Sequence, residues 1–399
     1  MRRLLLYLLL TFTAAEGLRA AGGDDAVGAL TALGFENVRV GESADGTVYA
    51  SLEPAGYRGT YHGAAAALRQ LAESYPAAHS FRLLLLEDQA PRVALTATRA
   101  DSLWTVKGDY DFRDIRQALC STPVARSSRG RVDISVFPMF TWINHRLDQP
   151  FEYVLSIAPA IQTSLWPGNR IILQPVFPVS YDVKTISNQR FVHIGVAGIA
   201  QDLVSRNGRW AASLMGGFFL YDRIGADLRV DYRATPRLTL SAEASLTGEA
   251  VVIDKRYEIS TPRQFSFFGK ASYYEPCTRL QGDVMAGRFV YGDYGVRVDI
   301  SRHFSDYTIG LYGVLTGGEH NAGFHFAIPL GPKHYRRKGA VRIKLPDYFD
   351  WEYSMVSYYE FYNERMGERI ETRPDENRSA HYWQATHVAQ YTERTLNRQ

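Results

Sequence analysis

Apolar and polar side chains alternate with a period of two in segment after segment between residues 131 and 330. In Leu238–Thr247, leucine and alanine occupy every second position, while the positions between them carry hydroxyl groups and Glu243. In residues 226–232, the alternate positions carry full charges. Successive side chains of a β-strand point to opposite faces of a sheet. The pattern therefore predicts a mainly β fold, with antiparallel strands that have one apolar and one polar face.

Two architectures produce such alternation. A soluble β-sandwich turns its apolar faces to a core, whereas a membrane barrel turns them to lipid and keeps a polar interior. Charges in the middle of the polar faces favour the barrel, because a small soluble barrel is filled with apolar side chains. Several segments also reach the roughly 9–11 residues of a tilted spanning strand. We expect a transmembrane β-barrel of about twelve strands, with a secreted β-sandwich as the alternative. The charges expected to line its interior are Asp227, Arg229, Asp231, Glu243, Arg297 and Asp299.

Aromatic side chains recur near the ends of these segments. Tryptophan and tyrosine are enriched at membrane–water interfaces, where they form girdles around a barrel. The positions that fit a girdle are Trp142, Tyr153, Trp166, Tyr181, Tyr221, Tyr232, Tyr273 and Tyr307.

The first 20 residues are organised like a signal peptide. Arg2 and Arg3 precede a short apolar run at 4–13, and pairs of alanines follow as candidate cleavage sites. No apolar run reaches the roughly 18–20 residues that a spanning helix needs. Export combined with the strand pattern predicts the outer membrane of a Gram-negative bacterium, with membrane lipid as one partner.

The rest of the chain divides into three further parts. Residues 26–119 mix short helical and strand patterns and are expected to form a small periplasmic α/β module before the barrel. Residues 120–130 form a mostly polar linker. Residues 331–399 lose the alternation and mix charged with aromatic side chains. We expect this last part to be a cap or tail folded on one barrel mouth. Contact of its aromatic rings with a sugar polymer or a protein partner is the alternative.

The chain has two cysteines, Cys120 and Cys277. An exported chain meets an oxidising compartment, in which thiols can pair. A disulfide would tie the α/β module to the barrel rim, and two unpaired thiols are the alternative.

Charge and motifs narrow the function classes. A formal charge of +3, from 45 basic and 42 acidic residues, argues against a nucleic-acid binder. None of the usual hydrolase, metal-protease or nucleotide-binding motifs occurs, and the ten histidines are scattered. We expect no catalytic site, no metal and no cofactor. An outer-membrane barrel enzyme that hydrolyses lipid or peptide stays as an alternative, since such enzymes use residues that are dispersed in sequence.

Several short motifs follow one another through the module and the alternating region. They are Leu33–Val40, Leu165–Asn169, Gly195–Asp202, Gly287–Gly295, Ile300–Phe304 and Gly323–Leu330. In this order they resemble the YjbH family of outer-membrane exopolysaccharide and capsule proteins, in a form with a single barrel. The resemblance covers about residues 28–330.

The resemblance implies a part in polysaccharide secretion, with a periplasmic polysaccharide export protein as partner. In that role the barrel passes a glycan across the outer membrane or organises its passage. A plugged structural barrel that organises the export complex without conducting is the alternative.

Overall fold

The protein is described by a computed structural model over residues 23–101, 103–143, 151–184, 187–355, 361, 364–375 and 383–398. The predicted signal peptide at residues 1–20 lies outside these ranges. The prediction of a mainly β chain is confirmed, since strands form two sheets and helices are few and short. None of the described helices has the length and hydropathy required to cross a membrane.

The N-terminal region forms an α/β module around a five-stranded sheet. Its elements are α1 (Gly23–Ala32), β1 (Glu36–Glu42), β2 (Val48–Glu53), α2 (Thr60–Ser74), β3 (Ser80–Glu87), β4 (Ala90–Ala100), β5 (Leu103–Asp109) and α3 (Arg113–Ala118). The strands are ordered as in the sequence, and only β2 and β3 are parallel. Helix α2 forms because Ala64, Leu68 and Leu71 recur at helical spacing and are fully buried against the sheet.

A helix from the other end of the chain completes this module. Helix α4 (Ala385–Asn397) buries Ala385, Val388 and Leu396 in the same hydrophobic core. The module therefore consists of two distant parts of the chain and not of residues 26–119 alone. The sequence analysis missed this because the burial of α4 depends on tertiary contacts with β5 and α2.

The second sheet has fifteen strands. They are β6 (Val132–Ile143), β7 (Glu152–Thr163), β8 (Asn169–Asp182), β9 (His193–Val204), β10 (Trp210–Phe219), β11 (Arg223–Arg233), β12 (Leu238–Ile253), β13 (Arg256–Ile259), β14 (Gln264–Glu275), β15 (Leu280–Arg288), β16 (Tyr294–His303), β17 (Thr308–Thr316), β18 (Glu319–Pro329), β19 (Val341–Lys344) and β20 (Tyr348–Met355). From β6 to β20 the long strands pair antiparallel with their sequence neighbours, while β13 extends the end of β12 and β19 pairs parallel with β6.

The large sheet extends past residue 330, where the sequence analysis ended it. Strand β20 pairs with β18 along eight residues, and β19 pairs with β6. The sequence around β20 escaped detection because aromatic side chains replace most of the aliphatic residues of its apolar face.

The polarity of this sheet is inverted relative to a soluble protein. Leu240 and Val298 lie on the outer face and are 43% and 40% exposed, while Ser245 and Arg297 lie on the inner face and are buried. The same division holds in β17, where Ile309, Leu311 and Leu315 are exposed and the alternate residues Gly310, Tyr312 and Val314 are buried. Burial of the polar face and exposure of the apolar face is the arrangement expected of a sheet surrounded by lipid.

The sheet curves, so that its inner face is concave. Side chains from β8, β10 and the turn after β15 share one buried cluster on that face. No strand pairing between β6 and β20 occurs in the part of the chain that the structure describes. These two strands nevertheless approach each other, since Trp351 Nε1 donates a hydrogen bond to the Phe140 carbonyl over 3.0 Å.

The turns of the sheet define its two ends. The end at the turns after β7, β9, β11, β14 and β16 is covered by the α/β module and α4, and we call it the module end. The opposite end, at the turns after β10, β15 and β17, is called the far end. At the module end, Gly208 adopts φ 66° and lies so close to the Tyr110 carbonyl that a Cβ would sit 1.6 Å from its oxygen.

Candidate functional site

The six charges predicted to line the interior share the concave inner face. Asp227, Arg229 and Asp231 lie on β11, Glu243 lies on β12, and Arg297 and Asp299 lie on β16. They line two adjoining cavities of about 130 and 90 Å³. The alternation alone places these side chains on one face, because they occupy every second position of their strands.

Arg297 joins β16 to the last strand of the sheet. Its guanidinium donates to both oxygens of Glu352 at 3.1 and 2.8 Å, and its Cζ lies 3.7 Å from the centroid of the Tyr312 ring. A bidentate arginine–carboxylate pair is stabilised both by the geometry of its two hydrogen bonds and by the attraction between opposite charges. Asp299, two positions along β16, accepts from Ser301 Oγ at 2.8 Å and lies 3.0 Å from His325 Nε2.

A second group of inner-face ion pairs lies on β11, β14 and β15. Arg229 Nε donates to Asp231 at 3.0 Å, and Ser241 donates to the same carboxylate at 2.6 Å. Lys270 Nζ lies 2.9 Å from Asp283. The inner wall is therefore a polar surface whose charges are compensated locally.

Residues 364–375, the C-terminal segment, cross this inner face. At the far end the Val290 N–H donates to the Glu368 carbonyl at 3.1 Å, and the Leu220 N–H donates to the Glu371 carbonyl at 3.1 Å. Ile370 is buried among inner-face residues of β7, β8, β9 and β10. A cap or tail on one mouth was expected of residues 331–399. Within that range, residues 364–375 contact both the far-end turns and the inner face.

The C-terminal segment is held by charge at two levels. Arg369 lies 3.7 Å from Glu352, so it shares this carboxylate with Arg297. Arg373 donates to Glu87 at 3.1 Å and lies 3.9 Å from Asp88, both at the β3–β4 turn of the module. The segment thus connects the strands of the large sheet to the module.

Glu87 and Asp88 belong to a compact network of three carboxylates and three guanidinium groups at the module end. Asp202 is the third carboxylate, and ligand oxygens of the three lie within 4.8 Å of one another. Arg92, Arg170 and Arg373 surround these oxygens. The three arginines already neutralise these carboxylates, whose spacing could otherwise hold a cation.

Burial and charge shift the carboxyl groups of this turn in opposite directions. Burial, reinforced by the adjacent Glu87, raises the pKa of Asp88, and Arg170 opposes the rise. Burial also acts to raise the pKa of Glu87, but Arg373 and Arg92 outweigh it and hold that pKa below its ordinary value. Glu87 is therefore the carboxylate on which Arg373 depends.

Two more contacts fix the module to the sheet. Arg337 Nε donates to buried Glu36 at 2.6 Å, joining the β18–β19 connection to β1. In the β16–β17 turn, Asp306 accepts from the Tyr61 hydroxyl, and it lies 2.9 Å from His62 Nε2. Burial acts to raise the pKa of Asp306, but the hydrogen bonds from His62 and Tyr61 hold it below its ordinary value.

Helix α4 protects the free edge of the module's sheet. Asn397 accepts from the Trp104 N–H and donates to the Trp104 carbonyl, both at 2.9 Å, and Glu393 accepts from the Val106 N–H at 2.7 Å. An uncovered edge strand is a template for pairing with another chain. The helix thus closes the edge of β5 with side chains rather than with another strand.

Helix α4 also contacts the turns of the large sheet. Gln390 donates to the Pro276 carbonyl and Tyr391 to the His303 carbonyl, each at 2.8 Å. The helix therefore lies between the module and the rim of the sheet.

The disulfide left open by the sequence is not formed. Cys120 follows α3 and Cys277 lies in the β14–β15 turn, and both are exposed free thiols. The β14–β15 turn is held by a hydrogen bond instead, in which the Cys277 N–H donates to the Glu275 carboxylate at 3.1 Å.

Several residues of the site were missed by the sequence analysis. They are Lys270, Asp283, His325, Glu352, Arg369 and Arg373 on the inner face or the C-terminal segment, and Glu87, Asp88, Arg92, Arg170 and Asp202 at the module end. The alternation in β14, β15 and β18 could have placed Lys270, Asp283 and His325 on the inner face. The rest needed contacts between parts of the chain far apart in sequence. Comparison with known proteins found no family model, no curated protein and no solved structure that matches this chain.

Proposed function

We propose that the chain is an outer-membrane β-barrel component of exopolysaccharide or capsule secretion. The observation that carries the proposal is the inverted polarity of the large sheet, whose exposed face is apolar and whose buried face carries the ion pairs. Lipid is the solvent that stabilises such a face. The resemblance to the YjbH family is the reason for proposing a polysaccharide as the exported polymer.

Closure of the sheet into a barrel is part of the proposal. An open edge inside a bilayer leaves backbone groups without hydrogen-bond partners. The hydrogen bond from Trp351 to the Phe140 carbonyl supports closure, because it joins β20 at one edge to β6, which at the other edge is covered only by the four-residue strand β19.

Exposed aromatic residues near both ends of the strands support the membrane position. Trp166, Trp210, Tyr273 and Tyr307 are exposed at the module end, and Trp142, Tyr181, Tyr221 and Tyr294 are exposed at the far end. Two such levels match the girdles of outer-membrane barrels. In this proposal the module end lies in the periplasm, where the module meets a polysaccharide export protein.

Passage of a glycan requires the C-terminal segment to move. The segment occupies the interior against Leu220, Val290 and Glu352. The polar wall behind it offers hydrogen bonds that a glycan can exchange as it passes. In this proposal the segment is a plug that the periplasmic partner displaces during export.

A second function is favoured by the same contacts. Ion pairs at two levels and the burial of Ile370 hold the segment firmly. A barrel that stays plugged would organise the export complex from the outer membrane without conducting the polymer.

Deletion of the gene tests the shared part of both functions. Polymer synthesis should continue while polymer disappears from the cell surface, and the wild-type chain should restore it. Normal surface polymer in the deletion strain would contradict a role in export.

A cross-link separates the two functions. Leu220 and Glu371 are joined by a backbone hydrogen bond, so Leu220→Cys with Glu371→Cys should form a disulfide in a chain with both native cysteines changed to serine. Oxidation should stop export if the segment must leave the interior, and reduction should restore it. Export that persists with the cross-link formed supports the organising role. The two single-cysteine variants are the controls.

A further inference from the structure

The cavity of about 130 Å³ lies at the module end, between the inner face, the module and the C-terminal segment. Its wall includes the hydroxyl groups of Ser213 on β10 and of Thr239 and Ser241 on β12. Six arginines line it against four acidic residues, and these arginines are Arg92, Arg170, Arg229, Arg233, Arg237 and Arg373. The cavity is thus lined mainly by groups that donate hydrogen bonds.

Arg233 is the cation of this cavity that lacks a carboxylate. Its Nη1 donates to the Gly208 carbonyl at 3.1 Å, and its Cζ lies 4.4 Å from the centroid of the Tyr110 ring. Among the residues that the structure describes, no carboxylate lies within ion-pair distance of it. A partly buried guanidinium normally has such a partner, because desolvation of a charge is costly.

Two neighbouring arginines have unused donors. Arg170 is almost fully buried, with a side chain 4% exposed, and its Nε has no hydrogen-bond partner. Arg92 Nε is also buried without a partner. Native proteins pair nearly all buried donors, so two unpartnered Nε donors, beside a third guanidinium without a carboxylate partner among the described residues, indicate a missing acceptor.

The cavity has a route to the surface. Arg237, in the β11–β12 turn, lines the cavity and its side chain is 49% exposed. Its only ion-pair contact among the described residues is a long one, 3.9 Å to Glu275. Arg237 therefore stands at the mouth on the module side, where a ligand from the periplasm would arrive.

We propose that this cavity binds the carboxylate of an acidic sugar in the exported polymer, with Arg233 as its main partner and Arg237 at the entrance. Guanidinium and carboxylate match in geometry and charge, and the surrounding hydroxyl groups suit the sugar. The inference rests on the proposed function for the identity of the ligand as part of the polymer, and it adds that the polymer is acidic. A free phosphate ion has similar anionic oxygens, so the test distinguishes the two.

The test measures binding to the purified full-length protein in detergent by calorimetry. The probes are a short oligogalacturonate, a malto-oligosaccharide of the same length and inorganic phosphate. The wild-type protein should bind the acidic probe and not the neutral one. Arg233→Gln should weaken this binding about tenfold or more, and Arg237→Gln should weaken it less. Arg256→Gln, which changes an exposed arginine of β13 at the far end, should bind as the wild type does.

Three outcomes would overturn the inference. They are equal binding of acidic and neutral probes, unchanged binding in Arg233→Gln, and binding of phosphate alone. Arg237→Gln guards against misfolding, since Arg237 is half exposed and its loss should leave the fold intact. Binding that is retained while the deletion strain exports normally would contradict the proposed function and leave the anion site standing.

Discussion

Arg373 donates a hydrogen bond to Glu87 over 3.1 Å, although 286 positions separate them in the chain. Arg373 belongs to the segment that crosses the inner face, and Glu87 closes a strand of the α/β module. The pair therefore links the C-terminal segment, which lies against the inner face, to the α/β module.

Loss of this pair should release the segment. Arg373→Gln leaves partly buried Glu87 with Arg92 as its cation, so the cost should be smaller than the about 3–5 kcal/mol of a fully broken buried pair. We expect a larger single-channel conductance in a planar bilayer and faster proteolysis within 364–375. Arg113→Gln in the module is the control, because Arg113 pairs with its neighbour Asp111 and its side chain is 69% exposed. Equal conductance of wild type and Arg373→Gln would show that this pair does not retain the segment.

The two faces of the large sheet should respond oppositely to charge. Leu240→Arg and Val298→Arg place a cation on the exposed apolar face, and each should lower the free energy of unfolding in lipid by about 2–4 kcal/mol. Glu243→Gln, on the inner face of the same strand as Leu240, should cost much less. Denaturant titration in vesicles, followed by the mobility of unboiled samples on gels, measures the difference. Similar costs on both faces would contradict the assignment to lipid.

Acid should weaken the contact between the module and the β16–β17 turn. The folded-state pKa of Asp306 lies below its ordinary value of 3.8. Its contribution to stability is therefore fully present above pH 3.8 and is lost as the pH falls through the lower folded-state pKa. Asp306→Asn should lower the melting temperature at pH 7, and the difference from wild type should shrink in strong acid. A difference independent of pH would mean that the carboxylate charge does not matter there.

The two thiols can report the orientation that we propose for the large sheet in the outer membrane. Cys120 and Cys277 are both exposed, and both lie on the module side. A membrane-impermeant maleimide should modify neither in intact cells and both after the outer membrane is permeabilised. Labelling of Cys277→Ser and Cys120→Ser variants assigns each signal. Modification in intact cells would place the module outside the cell.

Local periodicity was sufficient to predict the strands and their faces. In β11, β12 and β16 every second residue is apolar, and these strands occur where the alternation lies. The six inner-face charges came from the same pattern, since the position of a residue in a strand determines its face. Strand β20 was missed because Trp351 and Tyr353 replace aliphatic residues there.

The course of the C-terminal segment was beyond sequence reasoning. Nothing in residues 364–375 has a period, and the position of Arg373 depends on a turn in the first quarter of the chain. The absence of a disulfide could not be predicted from the sequence either, because pairing depends on the distance in space between the two cysteines. Local sequence patterns predict the strands and helices, whereas the position of the C-terminal segment depends on ion pairs between residues that are far apart in sequence.

The position of α4 has a consequence for biogenesis. Its apolar residues complete the core of a unit whose other elements are synthesised first, and residues 364–375 lie against the inner face of the curved sheet. The N-terminal unit can therefore reach its final state only after residues 385–397 have been synthesised and have docked on it. Chains truncated before residue 385 would expose both an apolar surface and the edge of β5, which makes them substrates for quality-control proteases.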